Sequence, residues 1–349
     1  MENGSSKHVR LFVAIATLAV IVLAVTAASN AAPSGKAASR DDHITIGLPG
    51  IPPVFLGVRQ YVAQEGGYYK HYGANVTIKQ FITGVDALRA VNAGQIQAAW
   101  APTPPALSLM AKNPQLVGIS GMDVVDWLVG SIDGSVKTCS DLKGQTIGVD
   151  TVGGARYAAL QAMLSRCKLT IQDVKTVNFP GAAAMQSMIA GQLKTSVLHI
   201  DELAQIEKSG KTVNVNVRLT QVDPYQHYDL LVTTRDQIKL HYYDFVHLLA
   251  GDIATTRYMY NPKAIGKVAK IATITGVDEQ VATSALKQYI AMKWWPLDKS
   301  GLGQGRITRT IGLNVKLGNL PPNVLTWKSV VDNRMWKAAF ALVKKRQGK

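Results

Sequence analysis

Short apolar strands alternate with helical segments along most of the chain, and this alternation restricts the possible folds more than any other feature. A βαβαβ rhythm predicts parallel sheets with helices on both faces. Such sheets bind ligands beyond the carboxyl ends of their strands. The predicted strands are His43–Leu48, Asn75–Phe81, Ile96–Trp100, Leu116–Ser120, Ile147–Val149, Thr176–Phe179 and Ser196–His199.

The alternation ends after two more predicted strands, Val213–Leu219 and Tyr228–Thr234. Beyond them the pattern is helical, except for Gly301–Pro322, which its glycines and prolines predict to be a loop. The segments DALRAVNAGQIQAAW (86–100) and AAMQSMIAGQLKTSVLH (183–199) echo each other. Either two βα units are alike by chance, or two similar lobes direct their strand ends at a shared cleft.

The N-terminus has the pattern of a secretory signal. Lys7, His8 and Arg10 precede the apolar run Leu11–Val25, and small residues follow. We therefore expect a signal peptide over residues 1–31, a linker over 32–43, and export to the periplasm. The alternative is an uncleaved anchor, but the apolar run is shorter than the roughly 20 residues of a membrane span. No cysteine stands here to carry a lipid anchor.

Charge and cysteine content limit the possible partners. The formal net charge is +15, yet the basic residues form no run longer than Lys344–Arg346. We therefore expect no nucleic-acid partner and keep a small anion as a candidate.

Cys139 precedes a predicted strand and Cys167 ends the helix after it. An exported protein can join them in a disulfide; two separate buried thiols are the alternative.

A loop of small residues joins the strand that ends at Val149 to the helix that begins near Arg156. Gly153 and Gly154 carry no Cβ, so a ligand could approach the backbone closely. The positive end of the following helix favours an anion there. An ordinary βα turn is the competing interpretation.

Several motifs occur in a characteristic order along the chain. G-x-D-A-L-x-A-V-x-A-G-x-I (84–96) comes first, D-L-K-G-x-x-I-G-V (141–149) follows, and A-x-x-x-Q-x-x-I-A-G-x-L (182–193) and V-V-D (330–332) come later. This ordered set resembles the periplasmic substrate-binding proteins of ABC importers for nitrate, sulfonates, taurine and thiamine precursors. The loop 151–155 has fewer hydroxyl groups than is usual in that family, which leaves the ligand open.

The resemblance implies a type II periplasmic binding protein: two α/β lobes, each with a doubly wound sheet, joined by two crossing strands. The crossings would be Trp127–Ile132 and Tyr228–Thr234. Lobe 1 would comprise residues 44–127 and 229–349, with a helical C-terminal region packed on it, and lobe 2 would comprise 128–228. The lobes would close around ligand by a hinge motion. The implied partners are a small-molecule ligand and the transmembrane subunit of an ABC permease, with a monomeric chain and no cofactor.

The candidate ligand-binding residues follow strand ends or begin helices. Arg156 offers a planar fork for a carboxylate or sulfonate, so a small organic anion is the favoured ligand. Trp100 could stack on a planar ligand, and His199 could contact ligand or be an internally bonded histidine. The full set is Phe55, Gly84, Val85, Trp100, Thr103, Asp123, Gly153, Gly154, Ala155, Arg156, His199 and Glu202.

The sequence is also compatible with two other functions. A periplasmic sensor would share the fold and report ligand to a receptor instead of a permease. An enzyme could also use this fold. However, the sequence contains no Gly-x-Ser-x-Gly, Walker, Cys-x-x-Cys or His-Glu-x-x-His motif, so we expect no enzymatic activity.

Overall fold

A computed structural model describes residues 42–348. The predicted signal peptide, and the predicted linker up to residue 41, lie outside the described residues. The described chain contains two sheets of five strands each. Helices flank both sheets.

The first sheet has the strand order β2-β1-β3-β10-β4. Strands β1 and β2 run parallel, with His43 opposite Asn75, whereas β10 runs antiparallel to both of its neighbours. The sheet is therefore mixed, and β10 begins at the edge where β3 and β4 end. Its strands are β1 (His43–Pro49), β2 (Asn75–Phe81), β3 (Ala98–Pro102), β4 (Leu116–Met122) and β10 (Asp229–Thr234).

The second sheet repeats this design with the order β7-β6-β8-β5-β9. Strand β6 runs parallel to β7 and β8, and β5 runs antiparallel to β8 and β9. The strands are β5 (Leu128–Ser131), β6 (Thr146–Val149), β7 (Lys175–Asn178), β8 (Thr195–Leu198) and β9 (Asn214–Arg218).

Fourteen α-helices connect or cover the strands within residues 42–348. Those of the first part are α1 (Val58–Glu65), α2 (Tyr68–Tyr72), α3 (Gly84–Asn92) and α4 (Thr103–Met110). Those around the second sheet are α5 (Ala155–Arg166), α6 (Ala183–Ile189), α7 (Ile200–Lys208) and α8 (Leu219–Val222). The C-terminal region contains α9 (Arg235–Met259), α10 (Ile265–Ala272), α11 (Glu279–Ala291), α12 (Gln304–Lys316), α13 (Trp327–Val330) and α14 (Arg334–Gln347).

Most of the C-terminal helices pack around the first sheet. Helix α9 contacts α1, α2 and α14, and α12 contacts α4. Helix α11 also packs against α7 of the second sheet, so the C-terminal region touches both halves of the fold.

The expectation of a loop over Gly301–Pro322 is wrong, because helix α12 occupies most of it. Ile307, Thr310, Ile311 and Asn314 are buried at helical spacing, which provides the packing energy for the helix. Gly305 and Gly312 lie within α12 and led to the prediction of a loop, because glycine is a weak helix former. A Cβ at either position would meet no atom within 4 Å, so these glycines serve no close contact.

The chain passes between the sheets twice, through segments 123–127 and 219–228. Strand β5 pairs entirely within the second sheet and β10 entirely within the first. The crossings therefore lie in the segments before these strands, and not in the strands themselves as the sequence predicts.

Cys139 and Cys167 form a disulfide, with their Cα atoms 5.4 Å apart. The bond ties the segment before β6 to the end of α5. Within residues 42–348, no helix has both the length and the hydropathy needed to cross a bilayer.

Candidate functional site

A small cavity of about 40 Å³ lies between the two sheets. It is lined by residues of both halves of the fold: Pro49, Gly50, Val54, Ile82, Thr83, Gly84, Pro102, Trp127, Asp150, Ala155, Arg156, Gly181, His199, Tyr228 and Asp229.

Strand direction explains why these residues meet. Parallel strands β1, β3, β6 and β8 end at the cavity, and the helices that follow begin there. Asp229 is different, because it is the first residue of a strand. In the antiparallel register Asp229 lies opposite Pro102 of β3 and Met122 of β4, so β10 begins at the same edge.

The N-terminus of α5 is already occupied by a carboxylate of this chain. Asp150 Oδ2 accepts a hydrogen bond from Ala155 N at 2.8 Å, and Oδ1 accepts from Thr151 N at 2.9 Å and from Arg156 N at 3.2 Å. A Cβ on Gly154 would lie 2.5 Å from Asp150 Oδ1. Gly154 therefore makes room for the Asp150 side chain. The sequence suggested instead that this glycine makes room for a ligand.

Arg156 lies at the cavity wall, but its guanidinium group is paired within the protein. Nη1 donates to Glu202 Oε2 at 2.9 Å and Nη2 to Oε1 at 2.6 Å, the two-pronged geometry that suits arginine and carboxylate. Nη1 also donates to the carbonyl of Val197, and Nη2 to that of Gly181. Burial raises the pKa of Glu202, but Arg156 outweighs burial and the net pKa is lowered.

His199 and its neighbours form a buried polar network that spans both halves of the fold. His199 Nδ1 lies 2.8 Å from Asp126 Oδ1 in the first crossing segment. The hydroxyl of Tyr289, on α11, lies 2.7 Å from Asp126 Oδ2 and 2.7 Å from Asp201 Oδ1. Burial lowers the pKa of His199, but Asp126 outweighs burial and the net pKa is raised.

The geometry at Tyr289 requires an additional proton. A phenol can donate one hydrogen bond, yet carboxyl groups lie on both sides of this hydroxyl. Burial, followed by the charge of Glu202, raises the pKa of Asp201 to about 7. A protonated Asp201 donates to the Tyr289 oxygen, and Tyr289 donates to Asp126.

Aromatic side chains form part of the wall. The Trp127 and His199 rings lie with centroids 3.6 Å apart, and the Tyr228 ring lies 6.1 Å from Trp127. The guanidinium carbon of Arg156 lies 5.4 Å from the centre of the Trp127 ring. These contacts hold the rings in place at the cavity.

Asp229 differs from the other acidic groups at the cavity. Its side chain is 1% exposed, and Oδ1 accepts no hydrogen bond from any described residue. Burial raises the pKa of Asp229 well above its usual range. The cavity therefore contains a buried carboxyl group whose Oδ1 has no hydrogen-bond partner within residues 42–348.

Four of the residues predicted from the sequence line the cavity: Gly84, Ala155, Arg156 and His199. Arg156 does not have the predicted role, because its fork binds Glu202. Glu202 lies behind it and outside the cavity lining.

The two aromatic residues predicted from the sequence lie in the core. Trp100 is completely buried on the α1 side of the first sheet, where the Arg59 guanidinium carbon lies 4.8 Å from its ring centre. Phe55 is buried against Tyr289, with ring centroids 5.1 Å apart. Both side chains pack in the core and neither lines the cavity.

The remaining predicted residues lie near the cavity without lining it. Thr103 Oγ1 lies 2.7 Å from His227 Nδ1, and the backbone oxygen of Asp123 accepts a hydrogen bond from Arg306. Val85 is half-buried on α3, next to Gly84. Gly153 turns the loop with a φ of +77°, and Gly154 faces Asp150.

The set predicted from the sequence lacks Trp127, Asp150, Tyr228 and Asp229, which line the cavity. Asp150 could have been found, because it directly follows a predicted strand. Tyr228 begins the second predicted crossing, which already placed it between the lobes, but its side chain was not named as a ligand contact. The antiparallel direction of β10 brings Asp229 to the edge where β3 and β4 end.

Among the described residues, no group of three or more His, Cys, Asp or Glu side chains is arranged to hold a metal ion.

Solved structures share this fold at low sequence identity. The nitrate-binding protein NrtA from Synechocystis PCC 6803 superposes with a TM-score of 0.74 at 13% identity, covering 87% of this chain and 89% of its own. The alkanesulfonate-binding protein SsuA from Xanthomonas axonopodis pv. citri, bound to MOPS, gives 0.68 at 16% identity, covering 84% and 99%. The zinc-bound ligand-binding component of an ABC-type import system from Staphylococcus aureus gives 0.69 at 14%, covering 85% and 98%.

These likenesses confirm the two-lobed α/β fold of a type II periplasmic binding protein. No curated protein matches the sequence. A family model described as NMT1/THI5 like matches residues 56–261, which is more than half of the chain. This protein therefore belongs to the NMT1/THI5-like family.

Proposed function

We propose that this protein acts outside the cytoplasm, where it captures a small organic molecule in the cavity between its two sheets. It then delivers this molecule to an ABC permease. The observation that carries the proposal is the cavity itself. It lies at the carboxyl ends of strands from both sheets and beside both crossing segments, so closure of the two halves could enclose a ligand. The S. aureus relative, described as a component of an ABC-type import system, supports the transport role.

The expectation of an organic anion loses its two main supports. It depended on the Arg156 fork and on the N-terminus of α5. Glu202 takes the fork and the Asp150 carboxylate takes the N-terminal amides. An anion at either place would have to displace a carboxylate of the protein.

Thermal unfolding in the presence of a library of small metabolites tests the capture of a solute. A ligand at a hundredfold excess over its Kd stabilises the folded state by about 2.7 kcal/mol, so binding should raise the melting temperature. Ala155→Trp should abolish this rise, because Ala155 lines the cavity and a tryptophan side chain would fill it. Ala93→Trp, at an exposed position after α3, is the matched control.

Two results would contradict the proposal: no metabolite raises the melting temperature, or the rise is unchanged in Ala155→Trp. Small-angle scattering should also show a smaller radius of gyration with a bound ligand.

Delivery to the permease is a separate step and needs its own test. Vesicles containing the permease should take up the ligand only when this protein is added.

A further inference from the structure

We propose that the ligand is a small organic cation and that the Asp229 carboxylate pairs with its positively charged nitrogen. This inference rests on the proposed function, because it names the ligand class of the same cavity. The sequence suggested a ligand of the opposite charge, a small organic anion.

The position of Asp229 favours a cation in the cavity. It lies at the start of β10, lines the cavity, and has 1% of its surface exposed. Oδ1 accepts no hydrogen bond within residues 42–348. A buried polar atom without a partner is costly, so a donor in the cavity would stabilise the protein.

The cations at the cavity already have partners. Arg156 forms a two-pronged ion pair with Glu202, and His199 pairs with Asp126. Within residues 42–348, neither cation forms a hydrogen bond or ion pair with Asp229. The Asp150 carboxylate caps α5. Once these pairs are counted, no basic side chain of the cavity lining is left to bind an anion, and Asp229 has no counter-charge among the described residues.

Apolar and aromatic side chains form much of the rest of the cavity wall. Val54, Ile82, Pro102 and Trp127 present apolar or aromatic surface to the cavity. Such a wall suits the carbon skeleton of an organic ligand better than a hydrated ion. No metal-ligand cluster occurs in the described part of the chain. An amine or amidinium group attached to a hydrophobic body would supply both the positive charge for Asp229 and the apolar surface for the wall.

Electrostatics agrees with this assignment. Burial raises the pKa of Asp229 well above its usual range; nearby His199 lowers it and Asp126 raises it. A bound cation favours the ionised carboxylate. Binding of a permanent cation should therefore expel a proton from Asp229 in acidic solution, and its affinity should fall as the pH is lowered. The other titratable groups that face this region are Tyr228, Asp150, Arg156 and Asp201.

Probes of one shape and different charge give the sharpest test. Benzamidinium, benzamide and benzoate share a ring and a planar substituent; acetamidinium and acetate form a smaller pair. Isothermal calorimetry and thermal unfolding should show binding of the amidinium probes in preference to the carboxylates. Asp229→Asn should weaken amidinium binding about 30-fold or more, the cost of removing one partner of a buried charge pair.

Asp123→Asn is the matched control. Its Oδ1 is also buried without a hydrogen bond, yet Asp123 does not line the cavity. Amidinium affinity should be unchanged in this variant. A measurement on the unmodified protein is independent of folding defects: calorimetry near pH 5 in buffers of different ionisation enthalpy should show proton release when benzamidinium binds.

Four results would overturn the inference: carboxylates bind as tightly as amidiniums, neither amidinium binds, Asp229→Asn binds them with unchanged affinity, or no proton is released. In each case the proposed function stands if any metabolite binds in the cavity and is blocked by Ala155→Trp. If no solute of any charge binds, the proposed function fails as well.

Discussion

Arg156 lies at the cavity, but its Nη atoms are bonded to Glu202, Val197 and Gly181. The sequence correctly predicts an arginine at a helix start beside the cleft. It could not predict the partner, because Glu202 follows 46 residues later and on another helix. Burial of a charge requires a counter-charge, and this need, which only the folded chain reveals, decides what Arg156 can bind.

Replacing Arg156 by alanine should destabilise the protein strongly. The change leaves Glu202 buried without its partner, which costs about 3–5 kcal/mol. Urea unfolding monitored by tryptophan fluorescence measures the loss. Arg89→Ala is the control, because Arg89 pairs with Asp86 at the surface with 72% of its side chain exposed. Such pairs contribute about 0–1 kcal/mol. Equal losses in the two variants would show that the Arg156–Glu202 pair is not a buried ion pair.

At the scale of elements, the unit from β6 to α5 shows what sequence patterns can and cannot predict. The strand, the loop and the helix are all found where the sequence places them. The role of Gly154 differs from the predicted one, because this glycine accommodates the Asp150 side chain and not a ligand. Propensity and periodicity locate elements. They do not reveal the direction of β10, which places Asp229 at the cavity, or the helix α12, whose glycines weaken the pattern.

Alanine substitutions of two glycines should change stability in opposite directions. Gly154→Ala pushes the Asp150 carboxylate away from the amides of α5, and the loss of an N-terminal cap costs about 1–2 kcal/mol. Gly312→Ala lies in an exposed position of α12 with no atom within 4 Å, and should stabilise by about 0.5–1 kcal/mol. Chemical denaturation of both variants checks the signs. A neutral Gly154→Ala would argue against the cap.

The disulfide belongs to the same unit. It closes a segment with a sequence separation of 28 residues, and constraint of the unfolded chain by such a loop is worth about 3–4 kcal/mol. The double variant Cys139→Ser, Cys167→Ser should lose about this much in urea unfolding. A reducing agent should lower the stability of the unmodified protein and leave the double variant unchanged. Two titratable thiols in denatured, unreduced protein would contradict the bond.

At the scale of the whole molecule, the His199–Asp126–Tyr289–Asp201 network joins the second sheet, the first crossing segment and helix α11. The Lys208–Asp278 pair, with Nζ and Oδ2 2.8 Å apart, joins α7 to the start of α11 nearby. The sequence predicts two lobes and a clamp between them. It does not predict that buried titratable groups hold the two halves together, since these residues are distant in the chain.

The network predicts how stability depends on pH. The folded protein keeps a proton on Asp201 up to about pH 7, whereas the unfolded chain releases it near pH 4. Stability should therefore fall as pH rises through this interval, by up to about 1.4 kcal/mol per pH unit. The raised pKa of His199 acts in the same direction above pH 6.5. Glu202, with its lowered pKa, acts in the opposite direction only in more acidic solution.

Asp201→Asn checks this assignment. An amide can donate to the Tyr289 oxygen at every pH, so the fall in stability between pH 5 and pH 7 should become shallower in the variant. The free energy of unfolding at each pH provides the measurement. Tyr289→Phe is the companion variant: it removes the shared hydroxyl and should destabilise the protein at every pH. A slope in Asp201→Asn equal to that of the unmodified protein would place the titrating group elsewhere.

The Asp150 cap has a consequence for selectivity. A carboxylate tethered six residues from the amide that it binds has an effective concentration set by the loop and not by the medium. Free phosphate, sulfate or nitrate must compete with that fixed local concentration and must also displace a group that cannot diffuse away. The loop thus acts as a built-in competitor of anion binding at this helix end, and inorganic anions in solution should leave the Asp150 contacts in place.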